Sequence, residues 1–210
     1  MSADPVPEAP SGRGAPPVGY REVACWHLSE QLTLLRILAL NGLSLLLMLV
    51  GLIGALLWRR VWGLGTTITF PLWAFIGALL LMYPLHEACH GLAMYWYGAR
   101  PRFGFMRAGE GLVAFYTTAP GYAFHRSAYL VISLAPLVGV SALALIELGL
   151  VREATWAGLF TVILAGNLAG SIGDLWMVLI ILRYPSEAYV MDERDGMRLY
   201  LPQAEQRSAG

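Results

Sequence analysis

Hydrophobic positions in this chain gather into four long runs, Ile37 to Trp58, Trp73 to Trp96, Ser127 to Leu148 and Trp156 to Leu182, separated by short polar breaks. Each can supply the roughly 20 helical residues needed to cross about 30 Å of hydrocarbon, so the pattern predicts four transmembrane helices. The last two runs contain internal Gly and Pro, which spanning helices tolerate where neighbours shield the backbone. Between the second and third runs, RFGFM and GLVAFYTT alternate around the turn-like AGEG, which predicts a β-hairpin within Tyr97 to Arg126. Beyond the fourth run, Ala188 to Met191 and Met197 to Leu201 flank Asp195-Gly196 and predict a second hairpin. Ahead of the first run, Pro5, Pro7, Pro10, Pro16 and Pro17 lie among Gly, Ser and Ala, so residues 1–20 are expected to be disordered. The predicted fold class is an all-α membrane protein of about four spans: a disordered or extended segment at 1–30, a transmembrane domain at 31–183 with the first hairpin inserted, and a hairpin tail at 184–210.

Composition agrees: 57% of residues are apolar and only 13% charged, far from the usual soluble balance. Formal charge is zero and every basic residue is Arg, so placement of charge carries more than its total, and no nucleic-acid surface is indicated. Cys25 precedes the first run and Cys89 lies inside the second, which is no disulfide framework. With the N-terminus inside, Arg13, Arg21, Arg36, Arg100, Arg102, Arg107, Arg126, Arg183, Arg194, Arg198 and Arg207 fall on the inner side, and only Arg59, Arg60 and Arg152 on the outer. Basic residues flanking spans prefer the cytoplasm, so both termini are expected there.

The second span carries the chemistry. His86-Glu87-Ala88-Cys89-His90 matches H-E-x-x-H, in which a helix sets two imidazoles on one face to grip zinc while the Glu stands beside the metal's water. A charged group near the bilayer centre costs about 2.5 to 3.5 kcal/mol on insertion scales, and polar groups there usually mark a function or a partner. The alternative is an interhelical polar pair without metal. Zinc wants a third protein ligand, and the fourth span offers Asn167, Ser171 and Asp174 at i, i+4 and i+7, with Gly166, Gly170 and Gly173 allowing close approach. At about 1.5 Å per residue, His90 and His86 lie roughly 9 and 15 Å from the inner end of their span, and Asp174 roughly 13 Å from that of its own. The three share a level. His125, at the border of the third span, is the rival ligand; Glu147 lies at the opposite end, and Asp192 is expected in the aqueous tail. Asn167 is a candidate for steadying substrate or oxyanion, or with Ser171 for joining helices.

HEACHG, a β-like loop, ISLAP (Ile132 to Pro136), NLAGSIGDL and VMDERDG together resemble a bacterial membrane family known as putative zincin peptidases, itself similar to site-2 proteases. The resemblance covers about residues 70–201. It implies zinc held by His86, His90 and Asp174, Glu87 as base, Asn167 in the place of an Asn upstream of the metal-binding Asp, a membrane-protein substrate, and a site in the bacterial plasma membrane. The site-2 pattern has prolines around its Asp and Gly directly after it; here Leu175 follows Asp174. Two other classes fit some of the features: a non-catalytic metal-binding scaffold that grips client helices, and a proton or ion relay through His86, Glu87 and Asp174, disfavoured by the few spans and the absence of an inverted repeat.

Overall fold

The computed structural model describes residues 14–27, 31, 33–107, 113–193 and 196–203. Four helical stretches are long and apolar enough to cross a membrane. They are α1 (Leu34–Val61), α2 (Leu72–Trp96), α3 (Arg126–Leu150) and a fourth that breaks at Ser171 into α4 (Ala154–Gly170) and α5 (Ile172–Ile181). Side chains that act as local acceptors mark several starts. Thr33 caps α1, His125 Nδ1 accepts from the Ser127 amide at α3, and Glu153 accepts from the Trp156 amide at α4.

Helix α4 is central and touches the other three spans, which explains why residues all round it, from Ala157 to Asn167, are buried. Small residues set the spacing. A Cβ on Gly51 of α1 would come 2.7 Å from the Ala165 Cα, and Gly158 lies directly against the Thr69 carbonyl. Gly170 and Gly173, expected to serve this purpose, face open space instead. At the other end of the bundle, Arg59 is only 1% exposed. It donates to the carbonyls of Gly65, Leu148 and Val151 at 3.1, 3.3 and 2.7 Å, tying the loop after α1 to the carbonyl-rich C-terminus of α3.

Among the described residues, six strands gather at the opposite end: β1 (Tyr20–His27), β2 (Arg102–Arg107), β3 (Val113–Thr118), β4 (Ala123–His125), β5 (Tyr189–Glu193) and β6 (Gly196–Pro202). β2 and β3 form the predicted inserted hairpin, with Phe105 paired to Phe115. The tail is more than a hairpin. β1 and β4 flank it in an antiparallel sheet of order β1-β6-β5-β4, with Tyr20 opposite Pro202 and Ala123 opposite Met191. Tyr20, the last residue of the segment expected to be disordered, opens β1, and residues 21–27, expected to be disordered or extended, are extended in the sheet; residues 1–13, the AGEG turn at 108–111 and Asp195 lie outside the described residues. Val190, Met197 and Leu199 are fully buried with Phe124, Ile132 and Ile181, so sheet and helices share one apolar core.

Candidate metal centre

His86 and His90 stand one turn apart on α2, with ring centroids 5.1 Å apart. Asp174 meets both rings: its Oδ2 lies 3.1 Å from His86 Nε2 and its Oδ1 3.3 Å from His90 Nε2. One ligating atom from each of the three lies within 4.8 Å of the others. The break in the fourth span helps to aim the carboxylate. The Ser171 hydroxyl and amide both donate to Asn167 O, at 2.8 and 3.0 Å, closing α4. Helix α5 then restarts with Leu175 N donating to Ser171 O and holds Asp174 in its first turn.

The outer nitrogens of both rings are fixed by acceptors. His90 Nδ1 donates to Ile132 O at 2.9 Å. That carbonyl lies four residues before Pro136, inside α3, and a proline has no N–H to offer it. The proline of ISLAP thus frees the acceptor that orients His90. Asn167 Nδ2 donates to Pro136 O at 3.0 Å and approaches Ser141 Oγ at 3.1 Å, which turns the amide Oδ1 toward His86 Nδ1 at 3.0 Å. His86 must therefore carry its proton on Nδ1. Both Nε2 lone pairs face inward, against a carboxylate whose buried Oδ2 has no hydrogen-bond partner. Two lone pairs and a carboxylate repel one another unless a cation stands between them, and this nitrogen and oxygen donor set fits zinc with an open position left for water.

A cavity of about 260 Å³ opens beside these groups, reached by Glu87, His90 and Asp174 from the helices and by Tyr116, Thr117 and Asp192 from the strands. Thr117 Oγ1 donates to the Glu87 carbonyl at 3.0 Å, clasping β3 to α2 at the motif. Immediately after His90, Gly91 makes room for the Phe103 ring of β2, where a Cβ would collide.

The structure brings His86, His90 and Asp174 together, lines the cavity with Glu87, His90 and Asp174, and places Asn167 behind His86. Asn167 is fully buried and does not line the cavity, so direct contact with substrate gives way to support of the ring. His125 caps α3 and stacks edge-on against Tyr189 at 5.5 Å, apart from the cluster. Cys89 Sγ lies against Gly139, a packing position. Asp192 departs most from expectation: rather than standing in an aqueous tail, it accepts from Tyr129 Oη at 2.7 Å in the cavity wall. Burial pushes its carboxyl up to about 6. Sequence pattern missed it because strand alternation shows which face is buried, and not that a four-stranded sheet tucks that face beneath a helical bundle.

No curated protein and no solved structure matches the chain. A protein-family model does, over residues 79–189. This span holds His86, Glu87, His90, Asn167 and Asp174, the whole cluster just described, and on it the chain belongs to the family described as putative zincin peptidase.

Proposed function

We propose that the protein is an intramembrane zinc metallopeptidase of the bacterial plasma membrane, with both termini and the strand-bearing end in the cytoplasm. The convergence of His86 Nε2, His90 Nε2 and Asp174 within 4.8 Å, each ring anchored from behind, carries this reading. Zinc held there by His86, His90 and Asp174 would supply Lewis acidity toward an attacking water and the scissile carbonyl. Glu87, in the cavity wall beside His90, takes the proton of that water and passes it to the departing amine. Asn167 and the Ile132 carbonyl hold the two imidazoles in the tautomer that ligation needs. A substrate helix must be drawn out straight before its amide is accessible. β3 pairs only with β2 among the described strands and presents Phe115, Tyr116 and Thr117 to the cavity, which suits pairing with an extended segment.

Metal analysis of purified wild type beside His86→Ala and Asp174→Ala is expected to give about one zinc per chain for wild type and little for either variant. Glu87→Gln is expected to keep zinc and lose cleavage. Equal behaviour of wild type and Glu87→Gln toward a membrane-protein substrate favours the non-catalytic scaffold instead.

A further inference from the structure

Asp192 takes no part in the reaction as derived, yet it sits in the wall of the same cavity. It lies on β5 one residue past Met191, where pairing with β4 ends, so on that side no described strand covers it. The side chains that hydrogen-bond it, the Tyr129 and Thr118 hydroxyls, are neutral. The neighbouring carboxylate, Glu193, is already matched by the Arg198 guanidinium at 2.9 Å. No Arg lines the cavity among the described residues, and the chain has no Lys. When zinc is bound, its two positive charges are balanced by Asp174 and Glu87, which leaves the negative charge of Asp192 without a counterpart. A charge held out of bulk water acts strongly on whatever enters beside it.

We infer that Asp192 is a specificity-determining residue: it receives a Lys or Arg side chain of the bound chain and places the scissile amide against the metal and Glu87. The inference rests on the peptidase reading and adds to it a substrate class, segments carrying a basic residue close to the cleaved bond. Tyr129 is the positioning residue that holds the carboxylate toward the cavity.

The test uses the full-length zinc-loaded protein in lipid nanodiscs and a quenched fluorescent peptide library in which one position at a time is Lys, Arg, norleucine or Glu. At one position near the scissile bond, kcat/KM is expected to be tenfold or more higher for Lys and Arg than for norleucine, and lowest for Glu. Asp192→Asn is expected to shrink that preference at least fivefold, with the loss in KM for the basic peptides. Equal ratios in wild type and Asp192→Asn overturn the inference. Should the variant not fold, wild type still decides, because equal cleavage of Lys and norleucine peptides at every position also overturns it. Binding of the same peptides to Glu87→Gln, followed by fluorescence anisotropy, reads the preference without turnover. Basic preference in binding with no cleavage by wild type strikes the peptidase reading alone; cleavage without preference strikes only the role of Asp192.

Discussion

Pro136 and Asn167 do their work by what they offer or withhold in hydrogen bonds. Without an N–H at position 136, Ile132 O stays available for His90 Nδ1. Pro136→Ala restores a helical donor that competes for this carbonyl, so zinc affinity is expected to fall about tenfold, within the range typical of support residues, while thermal stability holds or rises. Chelator competition with a zinc indicator measures the first and thermal unfolding in detergent the second; unchanged affinity would detach Pro136 from the site. Asn167→Ala removes the acceptor of His86 Nδ1 and is expected to weaken zinc by roughly ten- to a hundredfold in the same assay. The cluster of His86, His90 and Asp174 was legible in the sequence, because H-E-x-x-H carries its own geometry and Asp174 fell at a matching depth. Their supports were less so. A proline inside an apolar run reads as tolerated irregularity, and only coordinates reveal which carbonyl it releases and what takes it.

Elements follow the apolar pattern closely, since length and hydropathy alone set the four spans. The fourth differs: a continuous helix was expected, and Ser171 divides it by turning its hydroxyl back on Asn167 O. Serines occur in unbroken membrane helices too, so nothing in composition announces that break. The hairpin of β2 and β3 was legible from alternation and a turn signal, but its seat was not, because the Thr117 to Glu87 contact and the Phe103 ring over Gly91 join segments far apart in sequence. A proline placed in Val113 to Tyr116 removes a donor from β3. Cleavage of a membrane-protein substrate is expected to fall at least tenfold while zinc content, by metal analysis, stays at wild-type level. Undiminished turnover would take this strand out of substrate handling.

For the molecule as a whole, the long apolar helices and the sheet share one core rather than forming a bundle with a trailing tail, and Asp192 records that union. Its proton is retained in the folded chain up to about pH 6, whereas an unfolded carboxyl releases it near 3.8. Zinc-free protein is therefore expected to gain stability as pH falls from 7 through 6, levelling off near 4, by up to about 3 kcal/mol from this group. Asp192→Asn is expected to flatten that part of the profile in melting curves taken across the range; a parallel profile would place Asp192 in water. Arginine counting yields cytoplasmic termini as an expectation and leaves Arg59, Arg60 and Arg152 on the other side. Arg59 serves three carbonyls inside the structure and is not a free loop charge, the kind that sets topology.

The pairing of β1 with β6 brings residue 20 alongside residue 202. During synthesis the strand made first must wait for one made after all the long apolar helices. Until it arrives, β5 lacks its partner β6 and the acidic wall of the cavity has no frame. A half-made chain thus holds His86, His90 and Asp174 without a finished cleft, and the cavity acquires its strand-built wall only when the last strand pairs.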